Sequence, residues 1–509
     1  MLFNSYVFIF GFLPVTVLVF FVLGHFRPML ARVWLTLASF YFYAGWSLDY
    51  VWLIIGSILF NYSVGQIIIA ARAGARQSLV SSALYVGVIG NLALLGYYKY
   101  ADFFIVNVDA ALGLNWTLLH VVLPLGISFF TFTQIAYLVD ASRGQVRPDA
   151  DAPVQGLVNY ALFVTYFPHL LAGPIIHHTA VMQQFRSREV FRPAPGVMAV
   201  GCTLFVIGLA KKVLIADEYV ETVGDVFSAT QQLPFADAWM GALSYTLQLY
   251  FDFSAYSDMA IGLSLLFGVR LPLNFNSPYK STSIIEFWRR WHMTLSSFLR
   301  DYLYISLGGN RKGPARRYVN LYLTMLLGGI WHGAGWTFVI WGALHGFYLV
   351  VNHAWRGLFP GSSQAWWQRV IYGAITLFCV IIAWVFFRAP DLTTALSILS
   401  SMLGFARDLP GDAVASVAID RDMGWKIVVG FFIALVMPNS QQIVGLYKID
   451  PAIADDRDVR MFDRARWKRI MYERLSWSVG ARSGILFGAL FFACLLKLRQ
   501  VSEFIYYQF

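Results

Sequence analysis

His332 is the residue hardest to place in this chain without giving it chemistry. It sits in Leu326–Trp336, LLGGIWHGAGW, between two apolar segments, with glycines at 328, 329, 333 and 335. An ionisable side chain within an apolar span is costly and marks a cavity, a relay or a substrate path. Imidazole can act as a general base near neutral pH without holding a permanent charge in the membrane. Glycines beside it, Gly333 among them, let backbone or ligand approach closely. A neutral histidine bonded to a backbone carbonyl would satisfy the same local features, and they do not choose between the two.

Forty residues upstream, His292 lies in SIIEFWRRWHMTLSSFLRDYLYISLGGN. At helical spacing Phe287, Trp291, Thr294 and Phe298 share one side. Arg289, Arg290 and Arg300 can pin this segment to headgroups or to an anionic ligand. An amphipathic surface helix accounts for those charges but not for the density of Trp288, Trp291, His292 and arginine together. His345, with Trp341 upstream, is a weaker candidate that plain packing also explains. FDFSAYSDMAIG brings Asp252 and Asp258 into apolar sequence. Carboxylates there can orient an imidazole or pair with an arginine, and a cation transporter would want the same feature. The following LPLNFNSPYK, with Pro272, Asn274, Asn276 and Pro278, reads as an extended turn leading to His292. His25, His120 and His353 lie near span ends, and His177 and His178 at an interface. No histidine pair has metal-ligand spacing. Cys202, Cys379 and Cys494 stand apart in apolar surroundings, which excludes a disulfide framework or zinc site.

The elements that must position these groups are membrane helices. Of 509 residues 58% are apolar and 13% charged, about half the charged share of a soluble chain, and mean hydropathy is +0.60. The net charge of +10 does not indicate nucleic acid, because Lys and Arg fall in short gaps between apolar stretches, where they orient helices. Spans are expected at 5–24, 33–46, 50–70, 79–98, 118–139, 197–216, 238–268, 318–331, 334–353, 368–387, 425–438 and 483–497. Several are shorter than the roughly 20 residues of a full crossing, so the expectation is an all-α polytopic membrane protein. It has about 11 transmembrane helices plus re-entrant and amphipathic pieces. Tyr160–Ile176, broken by Pro168, Gly173 and Pro174, is the clearest re-entrant segment. The first apolar run lacks a basic n-region and cleavage site and reads as a retained helix.

Arg27 and Arg32, Arg72 and Arg76, and Arg143 and Arg147 place three gaps in the cytoplasm and the N-terminus outside. The acidic 217–237 gap suits the outer side, with Lys211 and Lys212 as an exception. The basic gaps 270–317 and 455–482 read as cytoplasmic amphipathic segments. One membrane-embedded domain spans 1–509, with catalytic helices at 318–353 and a tail at 499–509.

FDFSAYSDMAIG, LPLNFNSPY, EFWRRWHMTLSSFLRDYLYISLGGNR and GGIWHGAGW, together with FNSYVFIFGFLPV, FYFYAGW, GYYKYADFF, LPLGISFFTF and FPHLLAGPI, resemble the membrane-bound O-acyltransferase family. The likeness covers nearly the whole chain and is closest to the bacterial branch that O-acetylates exopolysaccharides such as alginate. It implies a ring of helices around a central funnel in the bacterial inner membrane. His332 would be the catalytic histidine and His292 the second site position, with no bound cofactor and no metal. It also implies acetyl-CoA as the cytoplasmic donor and a periplasmic SGNH hydrolase-like partner that passes acetyl groups to an exported polymer. The final FIYYQF resembles the tail of a small peptide that serves the D-alanyl-transferring branch. Tyr506 is thereby a candidate acyl relay, an interfacial aromatic belt being the alternative. Two other functions stay open at this level. A D-alanyl transferase would dock a carrier protein on the 270–317 segment, and a transporter or flippase would use Asp252 and Asp258. A membrane anchor or assembly scaffold is the blandest reading.

Overall fold

Inside a bilayer no water satisfies backbone N–H and C=O groups, so apolar sequence of this length must pair them within helices. The computed structural model describes residues 1–146, 153–359, 365–405, 419–420, 422–445, 475, 477–498 and 504–505, and the regular structure among them is helical. In chain order the helices are α1 (Leu13–Phe26, entered through the π-turn Val7–Phe12), α2 (Pro28–Ala44), α3 (Asp49–Ala73), α4 (Gln77–Leu95) and α5 (Ala101–Leu112). They continue as α6 (Ile127–Ser142), α7 (Pro153–Thr165), α8 (Phe167–Leu170), α9 (His178–Arg186), α10 (Pro195–Ala210), α11 (Val220–Ser228) and α12 (Phe235–Leu266). Next come α13 (Ile284–Trp288), α14 (Met293–Phe298), α15 (Gly313–His332), α16 (Trp336–Leu358) and α17 (Trp366–Arg388). The chain closes with α18 (Leu392–Met402), α19 (Met423–Leu435), α20 (Ser440–Val444) and α21 (Ala481–Lys497).

Among the described residues, five helical stretches are long and apolar enough to cross a membrane: Val7–Phe26, Asp49–Ala73, Gln77–Leu112, Pro195–Ser228 and Trp366–Arg388. The protein is therefore a multi-pass membrane protein. The expected 118–139 span is shorter in the structure. Helix α6 begins only at Ile127, after Pro124 and a left-handed Gly126. The residues before it form an irregular strap tied to α5, where Asp102 accepts from the Leu119 amide (2.7 Å) and Asp109 from that of Trp116 (3.1 Å). Helix α5 itself was not anticipated, because its polar positions masked its period.

The chain forms two compact units, Met1–Phe205 with Met259–Pro272 and Leu498–Tyr507, and Val206–Asp258 with Leu273–Lys497 and Gln508–Phe509. The first is held by interhelical hydrogen bonds, the glue available where hydrophobic contact with lipid and with protein are equivalent. Tyr160 donates to Gln134, Gln134 to Ser57, and Asn61 and Asn91 exchange amide bonds (3.2 and 2.6 Å). Arg32, expected as a loop charge, is instead buried and donates to Asn159 at 2.7 Å. The re-entrant segment breaks where expected. Helix α7 stops at Thr165, α8 makes one turn around Pro168, and buried His169 bonds the Phe163 carbonyl (2.9 Å).

In the second unit α15 and α16 form a hairpin. A Cβ on Gly329 would lie 2.4 Å from the Phe338 carbonyl oxygen, and one on Gly342 2.6 Å from that of Met325. These glycines bring two backbones into contact. They do not open room for a ligand.

Candidate active site

Helix α15 ends on Trp331 and His332, and the chain turns back through Gly333–Gly335 into α16. A Cβ on Gly333 would strike the Phe338 ring at 2.1 Å, so this turn has no space to spare. His332 is 5% exposed and lies among Trp331 (4.8 Å between ring centroids), Trp341 (5.0 Å) and Phe387 (5.2 Å). Phe387 and Trp384 come from α17, and Trp384 stacks on Trp341 (5.9 Å, 17°). One turn beyond Trp341, fully buried His345 packs on Trp341 (4.9 Å) and accepts at Nδ1 from the Trp288 indole N–H (3.3 Å). Accepting there requires a neutral His345 with its proton on Nε2.

His292 is placed by a different construction. The expected helix face through Phe287, Trp291, Thr294 and Phe298 does not exist as one helix. Helix α13 stops at Trp288, His292 adopts φ +43° and ψ +54°, and α14 starts at Met293. A left-handed backbone is strained for a residue with a Cβ, and such strain clusters at functional positions. The neighbouring strap Leu273–Lys280 holds the kink. Asn276 N–H donates to the Arg290 carbonyl (2.9 Å) and Met293 N–H to that of Asn274 (2.9 Å). Ser277, also left-handed, and Asn276 accept from Asn439.

Asn274 then fixes the His292 ring. Its Oδ1 lies 3.0 Å from His292 Nδ1 and accepts from Thr294 Oγ1 (2.9 Å) and the Thr294 amide (3.4 Å), while its Nδ2 donates to Ser257 (3.2 Å). The backbone amide can only donate, which identifies this Asn274 atom as oxygen. His292 Nδ1 must therefore carry the proton, and Nε2 holds the lone pair. His292 lies between spanning helices, and burial pushes its imidazole down to about 3, so it is neutral at working pH. Between His292 and His332 stands an aromatic cluster in which Phe253 meets His292 (4.8 Å) and Trp291 meets Trp384 (5.0 Å).

The basic 270–317 stretch is not uniformly a surface helix. From Leu273 to Leu299 it is mostly buried, with Arg290 held by Glu286 (2.9 Å) and the Asn276 carbonyl (3.3 Å). Arg289 is exposed. Asp252 and Asp258 each pair with a lysine, a partner that the sequence reading did not assign to them. Lys212 meets Asp252 at 2.7 Å and Asp217 at 3.0 Å, and Lys211 meets Asp258 at 2.7 Å. Ser440 and Gln441 also donate to Asp258. The two exceptional lysines thus neutralise the two carboxylates. Tyr506 and most of the 455–482 segment lie outside the described residues, while Phe504 and Ile505 beside Tyr506 are buried. Among the described residues no cluster of His, Cys, Asp or Glu is suited to a metal ion.

Sequence reasoning treated Asn274 only as a turn residue and overlooked Trp384 and Phe387. Nothing local marks the last two: Phe387 reaches His332, and Trp384 reaches its neighbour Trp341, only through the packing of α17.

The family model for membrane-bound O-acyltransferases matches residues 147–392. The chain is 45% identical over 425 residues to the peptidoglycan O-acetyltransferase of Helicobacter pylori, covering 79% of this chain and 80% of that one. It is likewise 45% identical over 414 residues to the probable alginate O-acetylase AlgI of Pseudomonas aeruginosa (80% and 75% covered). A teichoic acid D-alanyltransferase of Bacillus subtilis is 25% identical over 279 residues (52% and 68%).

Proposed function

Because this chain belongs to the membrane-bound O-acyltransferase family, we propose that it acts as an O-acetyltransferase of the bacterial inner membrane, with His332 as general base. In this reading acetyl-CoA gives up its acetyl group on the cytoplasmic side, and the group passes through a central funnel for O-acetylation of an exported polysaccharide such as alginate. About eleven spans leave the N-terminus periplasmic, and an SGNH hydrolase-like partner completes transfer. The observation carrying the reading is the placement of His332, an ionisable group enclosed by Trp331, Trp341 and Phe387 at the carbonyl end of α15. That end of the helix dipole favours the positive charge a base acquires.

The chemistry is acyl transfer to oxygen. An acceptor hydroxyl attacks the thioester carbonyl, forming a C–O bond as the C–S bond breaks. Its proton goes to His332 and then to the leaving thiolate. His292, protonated at Nδ1, offers an acceptor at Nε2, which suits it to orient the attacking hydroxyl. Polarising the carbonyl falls to the Trp331 indole N–H and nearby backbone amides. The aromatic enclosure keeps water from the thioester.

Two relatives at equal identity are named for different polymers, so overall similarity does not select the acceptor. The D-alanyl reading has the lower-identity relative in its favour. A transporter reading loses its support, since Asp252 and Asp258 are both paired with lysine. The test is reconstituted protein with radiolabelled acetyl-CoA and an acceptor hydroxyl. His332→Ala is expected to lower transfer by roughly 10²–10⁴-fold, the usual contribution of a general base. Transfer at the wild-type rate by that variant would overturn the role of His332.

A further inference from the structure

A groove of about 820 Å³ runs along α1, the first spanning helix, between it and the start of α10. Its size is that of a small-molecule site, roughly 300–1,000 Å³. Two close approaches shape it. Gly201 on α10 and Gly262 on α12 press backbone to backbone, a Cβ on either one meeting the carbonyl oxygen of the other at 2.7 and 2.6 Å. With α10 held against α12 there, Met198 and Cys202 are left to line the groove opposite α1. Gly24 in turn admits the side chain of Phe191, which would lie 3.0 Å from a Cβ at that position. The turn Arg188–Phe191 thus seats on the end of α1 and brings Arg192 to the same end of the groove as His25.

The groove is apolar along its length and basic at that end. On α1 Leu18, Val22 and His25 follow one another at helical spacing, so the imidazole ends a ridge of exposed apolar side chains. Arg192 is exposed and forms no ion pair among the described residues. No Asp or Glu is among the described residues lining the groove. Arg27 and Arg188, close in sequence to the basic end, are exposed, as is Glu189, the one acid of the turn. From Leu13 to His25 α1 rises about 18 Å, against about 15 Å for one leaflet of a ~30 Å hydrocarbon core. The volume spread over that length leaves a cross-section of about 45 Å², while a helix of ~10–12 Å diameter needs about 80–110 Å². A second helix is too wide for the groove, and hydrocarbon chains are not. The basic end coincides with the end of a 20-residue span, Val7–Phe26, which is headgroup level, and guanidinium matches phosphate oxygens in planar, bidentate fashion.

We propose that this groove binds one anionic phospholipid, its acyl chain lying along Leu18 and Val22 and its phosphate held by Arg192 and His25. The site is separate from the transfer chemistry and does not depend on it. Bound lipid fills the space between α1 and α10, so it stabilises the folded chain by mass action.

The experiment uses the full chain in detergent, with phosphatidylglycerol and zwitterionic phosphatidylcholine as probes, read by native mass spectrometry and by the midpoint of thermal unfolding. Phosphatidylglycerol is expected to fill one site first, ahead of phosphatidylcholine, and to raise the midpoint. Arg192→Gln/His25→Gln should weaken that binding about fivefold or more, the effect of losing one interfacial cation, and Arg192→Lys should retain most of it. Cys202→Trp, which fills the groove, should remove the tight site. Arg369→Gln, an exposed arginine on another spanning helix, should leave it unchanged. Equal affinity for the two lipids, or unchanged affinity in the Arg192/His25 variant, overturns the proposal. An equal loss in Arg369→Gln also overturns it, because it marks diffuse surface charge. Intact lipid binding by folded Cys202→Trp overturns it as well, and a change in that variant's oligomeric mass then assigns the groove to a second copy of the chain.

Discussion

Replacing Asn274 tests whether the state of His292 is set by its neighbour. In the native protein Asn274 Oδ1 takes the His292 Nδ1 proton (3.0 Å) and its amide donates to Ser257 (3.2 Å). Asn274→Ala removes both bonds inside the protein. The Thr294 hydroxyl can rotate to another acceptor, but the His292 N–H and the Ser257 hydroxyl lose their partner, at about 1–3 kcal/mol for each buried group. The expected destabilisation is therefore about 2–6 kcal/mol, read as a lower midpoint of thermal inactivation in detergent. Turnover should fall further than stability alone explains, by on the order of 10²-fold or more, because a histidine in the wrong tautomer cannot accept at Nε2. Asn274→Asp separates the two effects. A carboxylate keeps the proton on Nδ1 but favours the imidazolium, so the rate should acquire a new acid limb near neutral pH that the native enzyme lacks. Native turnover in Asn274→Ala, or an Asn274→Asp pH profile identical to the native one, would refute the assignment.

Lys212→Met strips Asp252 of a 2.7 Å partner within a buried pair and should destabilise the protein by about 3–5 kcal/mol, with Asp252→Asn in the same chain recovering much of that in thermal inactivation. Gly342→Leu drives a side chain into the Met325 carbonyl and Gly329, so the α15–α16 hairpin should open and folded yield collapse, whereas Gly357→Leu, with nothing within 4 Å of its Cβ, should be tolerated. Burial holds His292 at about 3 in the folded state, against an ordinary value near 6.5. Between those values only the unfolded chain binds the proton, so this contribution to stability is intact above about pH 6.5 and declines as pH falls toward 3. His292→Asn should flatten that decline, measured as inactivation midpoint against pH.

Much of the chain's character follows from its sequence because bilayer physics acts locally. Apolar runs must be helical to satisfy their own backbones, so most expected spans sit within a few residues of observed helices, and the break at Pro168 falls where the backbone rule puts it. His332 and His292 stood out for a related reason, the cost of an ionisable group in apolar surroundings. Partner choice is another matter, since it depends on which distant helices meet. Asp252 and Asp258 carried the same local signal as the histidines, yet Lys212 and Lys211, some forty residues earlier, make them ion pairs. The spacing through Phe287, Trp291, Thr294 and Phe298 suggested one helix until the strap around Asn274 imposed a left-handed turn on His292. Phe387 and Trp384, ordinary aromatics on α17, meet His332 and its neighbour Trp341 only in the fold. A tautomer, a counterion and an enclosure are each set by contacts between residues far apart in sequence, which periodicity and composition do not encode.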